Sequence, residues 1–235
     1  MKLSDAAILI VDDEPALVEI FEEWITDAGC RNVHTAANGE AALAVLKAHK
    51  IHLLISDIRM PVMDGISLVR HLGEMGETLP SVIFVSGFGT LDQREMYGLG
   101  VEAFFSKPMD RGELVAAVEN ALKERDLLWV APMEGTPKQT IILGDSPDAK
   151  GVETLLPGRG GFSASCSEPV HIGRVAFRAK CPGKESDFAG EGFVRWQDRA
   201  TGRIGIEFYF LEPSCRSRVI EEIVSSNPRS FIPDN

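Results

Sequence analysis

The sequence predicts an α/β half followed by a smaller all-β half closed by a C-terminal helix. Three observations predict it. Short apolar runs alternate with segments of helical periodicity over the first 125 residues. Pro and Gly crowd residues 130–160. Beyond them lie strand-like pieces, the clearest of which alternates apolar and polar residues.

Element by element, Ala6–Val11 is an apolar, β-rich run. Pro15 suits a helix start, and Leu17, Val18, Phe21, Trp24 and Ile25 recur at helical spacing until Gly29 can end the helix. Val33–Ala36 is a strand, Gly39–His49 an Ala-rich helix and Ile51–Ser56 a strongly apolar strand. Ile66, Leu68, Val69 and Leu72 mark the next helix, followed by a strand at Ser81–Ser86, a short helix at 90–99 and a strand at Val101–Phe105. Leu114, Val115, Val118 and Leu122 give the last helix of this half. Apolar strands without alternation fit a parallel sheet buried on both faces by helices. After the Pro- and Gly-rich stretch, which includes the strand-like Thr140–Leu143, strands are expected at Gly161–Cys166, His171–Lys180, Gly192–Gln197 and Arg203–Phe210. Val219, Ile220 and Ile223 share one face of a closing helix that Pro213 or Ser214 can cap. The domains expected are 1–125, a helix extension and linker at 126–136, and 137–235.

Composition narrows the function classes. The chain has 235 residues and a net charge of −11. Residues 1–129 hold 21 acids against 11 bases, so almost all of that charge lies in the first half and argues against nucleic acid there. The second half is near neutral, without a helix-turn-helix pattern. The apolar run at Ala6–Val11 is too short to span a bilayer, and no signal peptide precedes it, so a cytoplasmic protein without membrane insertion is expected. Cys30, Cys166, Cys181 and Cys215 lack metal-finger spacing and are expected as reduced thiols.

Ligands of an open parallel sheet sit beyond the carboxyl ends of its strands. Those ends carry Asp12-Asp13, Asp57, Ser86-Gly87 and Lys107-Pro108. Three carboxylates, one hydroxyl and one amine on one rim suit phosphorylation of a carboxylate. Crowded acids bind a hard cation such as Mg²⁺, Asp57 attacks phosphorus, Lys107 supplies positive charge and Ser86 a hydrogen bond. Singly, each residue has a bland reading: a solvated turn acid, a turn serine, a surface lysine. Their agreement on one rim is what gives the chemistry its weight. Asp64-Gly65 reads as a helix cap and turn, and the histidines lack nucleophilic or metal-ligand context.

The stretches Ile8-Leu9-Ile10-Val11-Asp12-Asp13-Glu14, Ser56–Gly65, Val85-Ser86-Gly87 and Phe104-Phe105-Ser106-Lys107-Pro108 resemble the receiver domains of two-component response regulators. The resemblance covers residues 5–123. It implies a flavodoxin-like, doubly wound, five-stranded parallel sheet, with Asp57 phosphorylated by a histidine on a sensor kinase or phosphotransfer protein. It further implies Mg²⁺ held by Asp12, Asp13, Asp57 and the backbone carbonyl of Arg59, and Lys107 paired with the phosphoryl group. Ser86 and Phe104 would form the switch, acting on helix 4, strand 5 and helix 5. A cis Lys107–Pro108 bond is also expected from it.

Residues 137–226 resemble a PilZ domain, a six-stranded β-barrel that often binds cyclic di-GMP. The likeness rests on Gly160–Ala164, Gly192–Trp196, Thr201–Phe208 and the helix around Arg218–Ile223. The ligand motifs depart from the family: no R-x-x-x-R lies between residues 130 and 158, and the polar turn reads Leu156-Pro157-Gly158-Arg159-Gly160-Gly161. A guanidinium grips phosphate as a lone lysine does not. A degenerate barrel used for contacts with a protein target is therefore expected, with cyclic di-GMP binding as the alternative. Arg159, Arg195 and Arg203 are weak candidates for an anion site; Trp196 and Tyr209 read as packing residues. No separate enzymatic output is expected. Leu122, Leu127, Leu128 and Trp129 are apolar where a free helix end is normally polar, so they are expected to pack on the barrel or in a homodimer.

Overall fold

The computed structural model describes residues 1–74, 79–87, 92–124, 127–143, 155–166, 169–180 and 187–234. Its contacts divide the chain into two compact units: Met1–Leu91 with Val101–Lys123, and Asp92–Gly100 with Glu124–Asn235.

In the first unit, β1 (Ala7–Val11), β2 (Asn32–Ala36), β3 (Leu53–Ser56), β4 (Ser81–Ser86) and β5 (Val101–Ser106) form a five-stranded sheet in the order β2-β1-β3-β4-β5. Every ladder is parallel. Helices α1 (Pro15–Asp27), α2 (Gly39–Ala48) and α3 (Gly65–Glu74) follow the first three strands. Pro15 occupies the first turn of α1, and Gly29 lies just past its end at φ +107°, a conformation glycine adopts freely. β1 and β3 are wholly buried, which explains their unbroken apolar runs. Ile8, Ile10, Ile55, Ile83 and Val85 pack with Phe21 and Ile25 of α1 and with Leu114 and Val118 from the helix after β5. Each such side chain removed from water contributes about 1.5–3 kcal/mol.

The short helix α4 (Gln93–Gly98) lies between β4 and β5 in the chain but belongs to the second unit. Residues 90 and 91 of the expected helix lie outside the described residues. Helix α5 spans Arg111–Leu122, capped by the Asp110 carboxylate, which accepts from Gly112 N and Glu113 N. Helix α5 ends at Leu122 and does not continue to Trp129 among the described residues, while residues 125–126 of the expected extension and linker lie outside them. The backbone turns extended at Lys123. Trp129, at φ +56°, then enters the core of the second unit. Of the two packing partners expected for this apolar run, the β-rich core is the one Trp129 and Leu128 meet.

The second unit is a β-rich half-barrel. β6 (Thr140–Leu143), β7 (Leu156–Pro157), β8 (Gly161–Ser165), β9 (Gly173–Lys180), β10 (Asp187–Asp198) and β11 (Arg203–Leu211) run in the order β6-β9-β10-β11-β8-β7. β9, β10, β11 and β8 pair antiparallel, and β6 adds to β9 in parallel. Two expectations change. Thr140–Leu143, first read as part of a linker, is an edge strand. Among the described strands, no ladder closes β6 onto β7 into a full barrel. The neighbouring linker residues 144–154, and Cys181, lie outside the described residues. Phe162, Phe177, Phe188 and Phe208, one from each central strand, meet with ring centroids 5.2–6.3 Å apart, mostly edge to face. Trp129 adds an edge contact on Phe208 at 5.0 Å, and its carbonyl accepts from Leu211 N. Helix α6 (Pro213–Ser226) sends Cys215 and Ile223 into the same core. Pro213 occupies its first turn, and Glu212, not Ser214, is the N-cap residue. Cys30, Cys166 and Cys215 are free thiols. No helix among the described residues is long and apolar enough to cross a membrane.

Candidate functional site: an acidic rim at the strand ends

Strand order reverses between β1 and β3, and register there sets Val11 beside Ser56. The next residue on each strand is therefore Asp12 on one side and Asp57 on the other. Backbone bonds fix both: Asp57 N donates to Val11 O at 2.8 Å and Asp12 N to Ala36 O at 3.2 Å. Carboxylate oxygens of Asp12, Asp13 and Asp57 all lie within 4.8 Å of one another. Lys107, just past β5, donates from Nζ to Asp12 Oδ2 at 2.8 Å and to Asp57 Oδ2 at 2.9 Å. Its own amide donates to Ser86 O, which ties the lysine to the end of β4. The Lys107–Pro108 bond is cis.

Electrostatics follow from burial. Asp12 is 2% exposed, and burial pushes its carboxyl above the ordinary range despite the hydrogen bond from Lys107. Burial also works against the Lys107 ammonium, but hydrogen bonds to Asp12 and Asp57 outweigh it and raise its pKa. Lys107 Nζ also lies 3.4 Å from Glu14 Oε1, so one ammonium faces Asp12, Asp57 and Glu14, with Asp13 beside them. The donor set is hard, oxygen-rich and under-neutralised, which fits a Mg²⁺ ion coordinated through carboxylates and water.

Asp57 Oδ1 accepts from the amides of Ile58 at 2.5 Å and Arg59 at 3.2 Å, so one carboxylate oxygen is oriented by backbone and the other faces Lys107. Ser86 Oγ is buried and has no hydrogen-bond partner among the described residues. Phe104 is half-buried on β5, opposite Phe84 in register. Two features were not foreseen. Ser56 Oγ, fully buried, donates to the Asp57 carbonyl at 2.7 Å. Gly65 does more than turn the chain: a Cβ there would lie 2.2 Å from the Asp57 carbonyl oxygen. Asp64 acts as the expected cap, accepting from Ser67 N at 2.6 Å.

The anion-site candidates of the second unit are engaged inside the protein. Arg195 Nε pairs with Glu207 at 2.5 Å, and its guanidinium lies over Phe193. Arg203 Nη2 donates to Ser163 Oγ at 2.6 Å, and Arg159 Nη2 donates to Gly100 O at 2.6 Å. Arg174 spends its donors on Glu191 and on the carbonyls of Met133, Glu134 and Gly135. Each of the weak anion-site candidates Arg159, Arg195 and Arg203 therefore spends at least one donor on an acceptor inside the protein. Trp196 is buried, whereas Tyr209 is 40% exposed with its ring edge-on to Phe193.

Comparison with known proteins places this architecture. Residues 8–119 match the family model "Response regulator receiver domain". Response regulator Rre1 of Synechocystis is 36% identical over 137 residues, 57% of this chain and 59% of that protein. A Leptolyngbya boryana protein described as an uncharacterized 14.6 kDa protein in the sodA1 3′ region is 33% identical over 50% of this chain and 90% of its own length. A Borrelia burgdorferi CheX-CheY-BeF3-Mg complex structure is 30% identical over 51% of this chain and 90% of that chain, with a TM-score of 0.47. The fold and site define a receiver class of domain, and the similar proteins include a response regulator and a transcriptional regulatory protein of Bacillus subtilis. Through residues 8–119, the chain belongs to the response regulator receiver family of two-component systems. It spans 28–59% of the length of the first four curated relatives it matches.

Proposed function

We propose that Asp57 is a phosphoacceptor and that its phosphorylation switches an output carried by the β-rich second unit. The observation that carries this reading is the convergence of Asp12, Asp13 and Asp57 at the sheet's switch point, with the half-buried Lys107 bonded to Asp12 and Asp57. With Oδ1 held by two amides, Asp57 Oδ2 attacks the phosphorus of a phosphohistidine on a sensor kinase or phosphotransfer protein. A P–O bond forms, the P–N bond breaks, and the imidazole leaves with the electron pair. Lys107 then shifts its hydrogen bond to a phosphoryl oxygen and offsets the added negative charge. The buried Ser86 hydroxyl donates to a second phosphoryl oxygen, and Phe104 follows it inward. A Mg²⁺ ion held by Asp12, Asp13, Asp57 and the Arg59 carbonyl would supply charge neutralisation at the transferring group.

The second unit acts as a degenerate PilZ-like module that binds a protein target, in a cytoplasmic regulator. Its internally paired arginines support this over the alternative of cyclic di-GMP sensing. Calorimetry with cyclic di-GMP is expected to give no heat at micromolar ligand; micromolar binding would favour the alternative. The primary test is labelling by acetyl phosphate with Mg²⁺. Asp57→Asn is expected to abolish it, and undiminished labelling of that variant would sink the assignment.

A further inference from the structure

Helix α4 has six residues, too few to be stable alone. Its last carbonyls need partners from elsewhere. Within the second unit, besides a local bond from Gly100 N to Tyr97 O at 3.1 Å, partners come from one C-terminal segment and one turn. Tyr97 O accepts from Phe231 N at 2.9 Å, Gly98 O from Ser230 Oγ at 2.8 Å, and Gly100 O from Arg159 Nη2 at 2.6 Å. The rings of Tyr97 and Phe231 stack at 5.9 Å. At the other end of the helix, Arg94 pairs with Asp198 at 2.6 Å, donates to Asp234 O at 3.0 Å and lies over the Trp196 ring.

The segment is itself anchored. Ser230 O and Phe231 O accept from the amides of Arg159 and Gly160, and Ile232 is fully buried. The Phe231 ring packs so close to Gly160 that a Cβ there would lie 2.0 Å from it. A lone helix turn, an ion pair or a stacked ring would each be ordinary. Their convergence on both ends of one short helix is a clamp.

We propose that Arg229–Asp234 is an intramolecular strap that holds helix α4 on the second unit and opposes phosphorylation of Asp57. The first half stands on these contacts; the second rests on the phosphoacceptor reading above. In the chain, α4 lies between Ser86 and Phe104, the two residues that reading moves. In that reading, movement of Ser86 and Phe104 is accompanied by movement of α4, the helix that the chain places between them. Whatever fixes α4 therefore resists that movement, and by linkage the phosphoryl group weakens the strap by the same factor.

Two full-length variants test this, each judged by hydrogen exchange of residues 93–98 and by the acetyl phosphate labelling rate. Phe231→Ala removes the ring from the strap, and Arg94→Gln removes the ion pair from the helix while leaving the strap sequence intact. Both are expected to speed α4 exchange about tenfold and labelling roughly fivefold. In the wild type, beryllofluoride with Mg²⁺ should speed α4 exchange, and in Asp57→Asn it should not. Unchanged α4 exchange in a folded variant overturns the strap itself. Faster exchange with unchanged or slower labelling overturns its opposition to phosphorylation. Absence of labelling in every protein, wild type included, overturns the phosphoacceptor reading and the coupling together, while the exchange data still judge the strap.

Discussion

The acidic rim of the first unit and the arginines of the second handle charge in opposite ways. At the rim, three carboxylates share one ammonium, and burial holds Asp12 above its ordinary pKa. In the second unit, Arg174 meets Glu191, Arg195 meets Glu207 and Arg94 meets Asp198. One region keeps an electrostatic deficit that a cation and a phosphoryl group can relieve. The other pairs three of its guanidiniums with carboxylates inside the unit. The lesson is that the number of charged residues says little about binding; whether their partners are already present decides it.

Gly65→Ala should break the rim most severely, because its Cβ would fall 2.2 Å from the Asp57 carbonyl oxygen, a backbone atom that cannot swing away. A loss of about 3 kcal/mol is expected in urea unfolding, along with a fall in acetyl phosphate labelling. Ordinary labelling at full stability would contradict the close approach.

Tyr97 tests whether the second unit stays sealed. Its phenol is pushed up to about 12, mainly by burial, with Arg195 lowering and Glu207 raising it. The neutral phenol contributes stability that is complete below pH 10 and lost as pH rises toward 12, roughly 2–3 kcal/mol in all. Phenolate absorbance should show a late step that Tyr97→Phe lacks. A Tyr97 step at the ordinary value would mean that its pocket is open.

The contrast then makes a prediction of opposite signs. Glu191→Ala strips the partner from a guanidinium only 16% exposed and should cost about 2 kcal/mol. Asp12→Asn should instead raise stability in chelator. A raised carboxyl pKa means that stability is complete below its unfolded value near 3.8 and lost as pH rises through the folded one. Neutralising the side chain removes that loss. Added Mg²⁺ should erase the gain, since the wild type then regains its counter-charge. Denaturation in chelator and in Mg²⁺ measures both arms; equal signs for the two variants would dissolve the contrast.

The rim was legible in sequence because its geometry is local to strand ends. Once Ile8–Val11, Leu53–Ser56 and Val101–Ser106 are recognised as buried parallel strands, Asp12, Asp57 and Lys107 must emerge at one edge. The pairing of arginines was not legible. Arg195 and Glu207 are brought opposite by a hairpin with two bulges, and Arg94 reaches Asp198 across more than a hundred residues. The helix extension was misjudged for a related reason. The apolar Leu122, Leu127, Leu128 and Trp129 suggested a packed continuation, but an indole at 129 gains more by entering an aromatic core than by prolonging an exposed helix. Thr140–Leu143 looked like a strand but gave no sign of its partner, because a parallel edge pairing with β9 leaves no local turn signature.

Trp129 also bears on modularity. Composition invites a cut near residue 137, yet a piece beginning there would lose an indole from its interior and the carbonyl that receives Leu211 N. A cut at Glu124 would keep the indole and still strand the helix that lies between β4 and β5 in the chain. No single cleavage point yields the second unit whole. Recombination by simple end-to-end swapping would therefore be poorly tolerated here, and a graft of this unit onto another receiver would have to carry its own helix between the fourth and fifth strands.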